Sequence, residues 1–127
     1  MSAITPGTSV PKILIVGGGY AGFYTAFKLE KLLRKGEAEV TMVDPLPYLT
    51  YQPFLPEVMA GSIEARHAVT SHRRHLRTTN VVNGSVTNVN HAKKTATIEV
   101  AGLKPYKQTY DHIIMTAGAV SRTFPIP

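Results

Sequence analysis

The sequence predicts an α/β domain built on a parallel sheet, and three observations lead to this prediction. An apolar run at Lys12–Val16 ends in three glycines, an amphipathic stretch follows it, and a second apolar run occupies Glu39–Val43. Strand, helix and strand in this order and at this spacing are typical of a parallel crossover unit. After residue 80 the apolar runs are short and no helical pattern separates them, which predicts a β-meander inserted into the domain.

The crossover unit is predicted element by element. Lys12–Val16 is rich in β-branched and apolar residues, which is typical of a strand buried on both faces of a sheet. From Tyr20 to Lys35 the apolar residues recur at three- and four-residue spacings, which predicts an amphipathic helix that Gly36 stops. The apolar side of this helix is predicted to consist of Tyr20, Phe23, Tyr24, Phe27 and Leu33.

Residues 45–57 are predicted to form an ordered loop. Four prolines lie among three aromatic residues in this stretch, and that density of proline excludes a long helix. A short helix is expected near Glu57–Ala60 and a second, basic one at Ser71–Arg77. The β-type runs that follow are Val81–Val82, Ser85–Val89, Thr95–Val100 and Thr109–Met115, with a turn at His91–Lys94.

Composition limits the chemistry that the chain can carry. It has 127 residues, a formal net charge of +6 and no cysteine, so a disulfide framework, a thiolate metal site and a redox cysteine pair are excluded. Any redox chemistry must therefore come from a bound cofactor. Residues 1–11 are predicted to be a flexible lead without the features of a secretory signal, and the apolar runs are too short to span a membrane. A cytoplasmic location is therefore expected.

Residues 17–22 match the GxGxxG pattern of a phosphate-binding turn. The turn follows a predicted buried strand and opens a predicted helix, and Asp44 lies 22 residues beyond Gly22, where the second strand ends. Gly17 permits the tight turn, Gly19 lets the backbone approach a pyrophosphate, and Gly22 lets helix and strand pack closely. Asp44 would accept hydrogen bonds from ribose hydroxyls and repel a 2′-phosphate, which favours FAD or NAD over NADP.

Two further segments decide between FAD and NAD. Tyr110–Ala119 is an apolar strand that ends in small residues, and Tyr51–Gly61 is an aromatic loop. Together with the glycine turn, these segments resemble the N-terminal part of flavoproteins of the pyridine-nucleotide disulfide oxidoreductase superfamily, and most of all type II NADH dehydrogenases. The resemblance extends from Lys12 to Pro127. It excludes the disulfide reductases of the superfamily, because tyrosines and prolines stand here where those enzymes carry a cysteine pair.

The resemblance implies a Rossmann-like FAD-binding domain and a set of residues around the cofactor. Gln52, Pro53 and Leu55 would lie near the flavin ring, and the backbone of Val86 would meet the adenine. The full set is Gly17, Gly18, Gly19, Tyr20, Ala21, Gly22, Asp44, Pro45, Gln52, Pro53, Leu55, Val86, Ala117 and Gly118. An aromatic loop that merely caps the core is the alternative for Tyr51–Gly61. The order Thr116-Ala117-Gly118 also departs from the Ala-Thr-Gly order usual in the family.

The resemblance also implies an activity, the transfer of a hydride from NADH to FAD and then of electrons to a quinone. The flavin carries this chemistry, so neither a catalytic side chain nor a metal is expected. Residues 12–127 would be an incomplete FAD-binding domain that lacks the NADH-binding and C-terminal domains, and alone it should bind FAD weakly or not at all. Two alternatives stay open: another FAD-dependent NAD(P)H oxidoreductase, and a non-catalytic dinucleotide-binding module that senses redox state.

The segment Arg66–Arg77 carries four arginines and no acidic residue. It is predicted to be a solvated face, with contact to anionic lipid at the cytoplasmic face of a membrane as the alternative. A nucleic-acid partner is not expected, because no aromatic stacking pattern accompanies the charge. His67, His72 and His75 are not expected to bind a metal, because the arginines would repel a cation. The resemblance leaves the choice of quinone and a homodimer open.

Overall fold

The computed structural model describes residues 9–120 and 122–126 of the chain. Its helices and strands follow one another as β1 (Lys12–Val16), α1 (Tyr20–Leu32), β2 (Glu39–Asp44), β3 (Tyr48–Thr50), a 3-10 turn (Gln52–Phe54), α2 (Leu55–Met59), a second 3-10 turn (Ala65–Ala68), β4 (Val69–Ser71), α3 (His72–His75), β5 (Asn80–Asn83), β6 (Ser85–Asn90), β7 (Thr95–Glu99), β8 (Tyr106–Thr109) and β9 (His112–Met115). Residues 1–8 of the predicted N-terminal lead lie outside the described part.

The main sheet has four parallel strands in the order β5, β2, β1, β9. Leu14 in β1 pairs with Thr41 on one side and with Ile113 on the other. This arrangement confirms the predicted parallel crossover unit. Because the strands are parallel, their carboxyl ends meet at one edge of the sheet, and the glycine turn, Asp44, Asn83 and Thr116 all lie there.

Each face of the sheet has its own hydrophobic core, as the apolar run in β1 predicted. On one face Ile15 packs with Phe23 and Ala26 of α1. On the other face Leu14 and Val16 pack with residues of the antiparallel meander β6-β7-β8, including Ile98, which is fully buried. The inserted β-meander is therefore present and covers the face of the sheet opposite α1.

The predicted apolar side of α1 is only partly correct. The helix ends at Leu32 rather than at Lys35, and its buried residues are Gly22, Phe23 and Ala26. Tyr24, by contrast, is 60% exposed. The small residues face the sheet because they let the helix axis approach β1 closely, and the larger tyrosines are left on the outer side.

Two strand predictions also need correction. The run Thr109–Met115 is not one strand: β8 ends at Thr109 in the meander, and β9 begins at His112 in the main sheet. Tyr110 lies between them and is buried, so the apolar pattern continued through a connection. The short antiparallel pair of β3 and β4, which joins Leu49 to Thr70, was not predicted. The short helices at residues 55–59 and 72–75 and the turn at His91–Lys94 lie close to their predicted positions.

Candidate functional site

The glycine turn is held from several sides by the chain itself. The Gly17 N–H donates to the Val43 carbonyl at 2.8 Å, which ties the turn to β2. Gly17 has a φ of +98°, a conformation that favours glycine. A Cβ on Gly22 would collide with the Gly17 carbonyl and would lie 2.7 Å from the Thr116 hydroxyl. The structural reasons for glycine at these two positions therefore match the predicted ones.

The start of α1 has backbone N–H groups without acceptors. Gly19 is the N-cap, no side chain caps the helix, and the Gly19 carbonyl already accepts from Phe23 N–H at 2.8 Å. Within the described residues, the N–H groups of Gly19, Tyr20, Ala21 and Gly22 have no hydrogen-bond partner. Apart from its immediate neighbours along the chain, no atom of the described residues lies within 4 Å of the place where a Gly19 Cβ would stand. These donors at the positive end of a helix form a site for an anion such as a phosphate.

Asp44 lies beside the glycine turn, as the spacing predicted. Its two carboxylate oxygens accept from the Gly18 N–H at 2.6 Å and from the Leu46 N–H at 2.8 Å. A carboxylate has about four lone-pair positions, so Asp44 can accept further hydrogen bonds from a ligand. The residue thus has a structural role at the turn in addition to the predicted contact with ribose.

Thr116 was singled out in the sequence only for its unusual order, and the structure gives it a definite contact. Its hydroxyl lies 2.9 Å from the Val16 carbonyl and 3.0 Å from the Gly17 carbonyl, and its N–H donates to Val16 O at 2.8 Å. These bonds fasten the end of β9 to the end of β1. They also place Ala117 against Gly17, because a Cβ on Gly17 would lie 2.9 Å from Ala117 Cα.

His72 contacts the glycine turn, and no pattern in the sequence indicated this contact. The imidazole is fully buried, its Nε2 lies 2.7 Å from the Gly18 carbonyl oxygen, and its ring stacks on Phe23 at 5.9 Å between centroids. Four arginines in Arg66–Arg77 made an exposed histidine the natural expectation. The sequence signal that could have indicated burial is spacing: His72 lies four residues from both Ala68 and Leu76, two apolar residues that are buried.

The aromatic loop, Tyr51–Gly61, approaches the turn at one point. The Gln52 N–H donates to the Tyr20 hydroxyl at 2.9 Å, and Tyr51 packs edge-on between the rings of Tyr20 and Phe54. The predicted flavin neighbours Gln52, Pro53 and Leu55 are exposed. The structure therefore brings this loop next to the start of α1.

The remaining predicted site residues lie around the carboxyl edge of the sheet. Pro45 follows Asp44 and is exposed, and Gly118 is exposed with a φ of +68°. Val86 is half-buried in β6 and packs against the core under the meander. It is held near Asp44 because the Gly84 N–H donates to the Asp44 carbonyl at 3.0 Å. Asn83, the register partner of Asp44, has a buried amide nitrogen without a hydrogen-bond partner in the described part of the chain.

Glu30 is a second residue that sequence reasoning missed. Its carboxylate accepts the N–H groups of Arg77, Thr78 and Thr79 at 3.1, 2.8 and 2.8 Å, and also the Thr79 hydroxyl at 2.8 Å. Burial by itself raises the pKa of Glu30, but these hydrogen bonds outweigh it and lower the pKa below the ordinary value of 4.5. Glu30 therefore fixes the segment that directly follows α3, the helix that carries His72.

Clusters of metal ligands and membrane-spanning helices are both absent from the described part of the chain. Among residues 9–120 and 122–126, no group of three or more histidine and acidic side chains is placed to hold a metal ion. The helices in the same ranges include none that is both long and apolar enough to cross a membrane.

A glycine turn between the first parallel strand and the first helix, with an acidic residue at the end of the second strand, defines a dinucleotide-binding domain of the Rossmann type. The pyridine nucleotide-disulphide oxidoreductase family matches residues 11–127, and the chain belongs to this family. This confirms the fold class and the resemblance that the sequence motifs indicated.

Several relatives and solved structures are similar to the chain. It is 30% identical to an external alternative NAD(P)H-ubiquinone oxidoreductase, B2, of Arabidopsis thaliana mitochondria, with 99% of this chain and 22% of that protein covered. It is 31% identical to the type II NADH:quinone oxidoreductase of Staphylococcus aureus, covering 91% of this chain and 28% of the relative. The NDH2 structure from Plasmodium falciparum in complex with NADH superposes with a TM-score of 0.81 at 27% identity, covering 93% and 24%. The chain thus spans between a fifth and a third of the length of these proteins.

Proposed function

We propose that this chain forms the FAD-binding part of an NADH:quinone oxidoreductase. The observation that carries the proposal is the set of N–H groups at the start of α1 that have no partner among the described residues, with open space at Gly19 and the Asp44 carboxylate beside it. This arrangement fits the pyrophosphate and ribose of an adenine dinucleotide. The names of the relatives from Arabidopsis thaliana and Staphylococcus aureus support the reaction class.

The chain's own residues would bind and orient the cofactor. The N–H groups of residues 19–22 would hold the pyrophosphate, and Asp44 would hold the ribose. Val86 would line the adenine end, where the unpartnered amide of Asn83 in the described structure offers a further donor. Ala117, Gly118 and the aromatic loop would lie toward the flavin. Small residues suit this position because they leave room for a close approach of the cofactor.

When FAD is bound, it supplies the redox chemistry by accepting a hydride from NADH and passing electrons to a quinone. We assign no acid, base or nucleophile to the side chains of this chain. Their contribution is to fix the cofactor and to shape its surroundings. A homodimer and a cytoplasmic location belong to the same proposal.

Contact of the segment Arg66–Arg77 with anionic lipid at the cytoplasmic face of a membrane is a further part of the proposal. Arg66 pairs with Glu64, and Arg73 donates to the Val81 carbonyl at 3.2 Å, so two of the four arginines are already engaged. All four arginines are nevertheless exposed, and the side chain of Arg66 is 74% exposed in its pair with Glu64. Co-sedimentation with vesicles that contain anionic lipid tests this contact: binding that high salt does not weaken would contradict an electrostatic role for these arginines.

Replacement of Gly19 by alanine tests the cofactor site. Beyond its chain neighbours, the added methyl group meets no atom within 4 Å in the part of the chain that the structure describes, and the residue has a φ of −74°, so the fold should be unchanged. The methyl group would occupy the space proposed for the pyrophosphate. We expect the full-length Gly19→Ala protein to lose FAD affinity by at least about tenfold, measured by quenching of flavin fluorescence.

Gly36→Asn is the matched control. Gly36 also has open space around it, lies beyond the opposite end of α1 and has a φ of +80°, which asparagine tolerates better than other side chains. This variant should bind FAD like the unmodified protein. Equal FAD affinity in Gly19→Ala and Gly36→Asn would contradict the proposed site.

The electron acceptor separates the reaction from its alternatives. NADH should bleach the visible absorbance of the bound flavin, and a quinone should restore it. Restoration by a protein acceptor but not by a quinone would indicate another FAD-dependent NAD(P)H oxidoreductase. Bound FAD that NADH does not reduce would indicate a non-catalytic redox-sensing module.

A further inference from the structure

Three successive peptide groups form the start of the glycine turn, and the protein holds them differently. The Val16–Gly17 and Gly17–Gly18 peptides are fixed on both sides, because Thr116 donates to their carbonyls while their N–H groups donate to Val43 and Asp44. The Gly18–Gly19 peptide is fixed on one side only. Its carbonyl accepts from His72, and its N–H has no partner among the described residues.

Because a peptide group is planar, the direction of the Gly18 carbonyl also sets the direction of the Gly19 N–H. In a trans peptide the C=O and N–H bonds point in opposite directions, and the described residues contain no cis peptide. A Gly18 carbonyl that points inward to the buried His72 therefore turns the Gly19 N–H outward. The space at the Cβ position of Gly19 is open, since an added Cβ would meet no atom of the described residues within 4 Å beyond its neighbours in the chain.

The surroundings of Gly18 and His72 hold these two residues against each other. A Cβ on Gly18 would lie 2.7 Å from the His72 ring and 3.0 Å from Asp44 Cβ, so only glycine fits while His72 is in place. Gly18 does not have a positive φ, so the imidazole and the aspartate, rather than the backbone conformation, account for this glycine. The His72 ring stacks on Phe23, and the His72 backbone N–H donates to the Pro47 carbonyl at 3.0 Å, so both the ring and its backbone are held.

We propose that His72 is a positioning residue of the dinucleotide site, which holds the Gly18–Gly19 peptide so that the Gly19 N–H faces the cofactor phosphates. A carbonyl oxygen can only accept, so Nε2 carries the proton and donates it to Gly18 O. Nδ1 is buried without a partner in the described part of the chain. This inference rests on the proposed FAD site.

The test compares three variants of the full-length protein with FAD as the probe. His72→Leu keeps an apolar group of similar size in the core but removes the donor, and we expect FAD affinity to fall on the order of tenfold. His72→Gln can place an amide N–H near the Nε2 position and should recover most of that loss. His75→Leu is the control, because His75 also contacts the Phe23 ring, at 6.4 Å, but has no hydrogen bond to the turn in the described structure.

The hydrogen bond itself can be observed without any cofactor. Nitrogen-15 NMR of the His72 ring should show a proton on Nε2. An Nδ1–H tautomer would overturn the proposal, as would equal FAD affinity in His72→Leu and the unmodified protein. Failure of the unmodified full-length protein to bind FAD would instead overturn the proposed function, and the tautomer would still show whether His72 holds Gly18.

Discussion

The glycine turn and the aromatic loop both belong to the candidate site, but the chain fixes them to very different degrees. The turn is held by Val43 and Asp44 at the end of β2, by His72 in α3 and by Thr116 after β9. The aromatic loop is held near its start, where the Gln52 N–H donates to the Tyr20 hydroxyl and the Tyr51 N–H to the Ala68 carbonyl, and Met59 further along it is 90% exposed. A phosphate-binding site needs hydrogen-bond donors in fixed positions. A loop proposed to lie toward the flavin ring can instead be positioned by the cofactor itself.

Gly22→Ala should have the largest effect, because it tests the tightest contact of the turn. The added Cβ would collide with the Gly17 carbonyl and lie 2.8 Å from the Gly17 carbonyl carbon, and backbone atoms cannot move aside cheaply. We expect a loss of about 3 kcal/mol or more in the free energy of unfolding, measured by denaturant titration. Gly19→Ala is the control, since its methyl group meets nothing, and an equally large loss there would mean that the turn is not specifically packed at Gly22.

Glu30→Gln should have the next largest effect, and it tests the support behind His72. The amide keeps the shape of the side chain but loses the charge that the N–H groups of Arg77, Thr78 and Thr79 stabilise. Hydrogen bonds to a charged group contribute more than neutral ones, and partial exposure of Glu30 reduces this, so we expect a loss of about 2 kcal/mol at neutral pH.

The lowered pKa of Glu30 determines the pH range in which this residue stabilises the fold. The pKa of Glu30 in the folded chain lies below the ordinary value of 4.5, so its contribution to stability is fully present above pH 4.5. That contribution is lost as the pH falls through the folded pKa, and the difference in stability between the unmodified and Glu30→Gln proteins should shrink over the same range. Glu99→Gln is the control, since the exposed Glu99 side chain has no hydrogen bond in the described residues. A difference that stays constant below pH 4.5 would contradict this account.

Features formed by residues close together along the chain were predicted from the sequence, and contacts between residues far apart along the chain were not. The strand, glycine turn and helix form within one short segment, and Asp44 follows at the end of the next strand, so local pattern was enough to place them. The contact of His72 with Gly18 spans 54 residues, and that of Thr116 with Gly17 spans 99. Such contacts depend on how the strands are ordered and how the chain returns to them, and no spacing in a single sequence encodes this.

The same reasoning explains the errors in the strands and in α1. Tyr110 is buried in the core between the main sheet and the meander. Its ring therefore extended the apolar sequence pattern of β9 across the connection between the two sheets. The apolar side of α1 was predicted from the three- and four-residue spacing of its large apolar residues, whereas packing against β1 buries Gly22 and Ala26 beside Phe23. Periodicity identifies which residues avoid water, but the partner surface decides how close they must come.

Tyr20→Phe should have the smallest effect, and it tests the attachment of the aromatic loop. The variant keeps the edge-on ring contact with Tyr51 at 6.5 Å but removes the hydroxyl that accepts from the Gln52 N–H. We expect global stability to change by less than about 1 kcal/mol, while the Gln52 amide exchanges its hydrogen faster. Tyr24→Phe is the matched control on the same helix, because the Tyr24 hydroxyl has no hydrogen bond in the described residues. If the Gly18 amide also exchanged its hydrogen faster in Tyr20→Phe, the turn and the loop would open together. The conclusion that the turn is held more firmly than the loop would then be wrong.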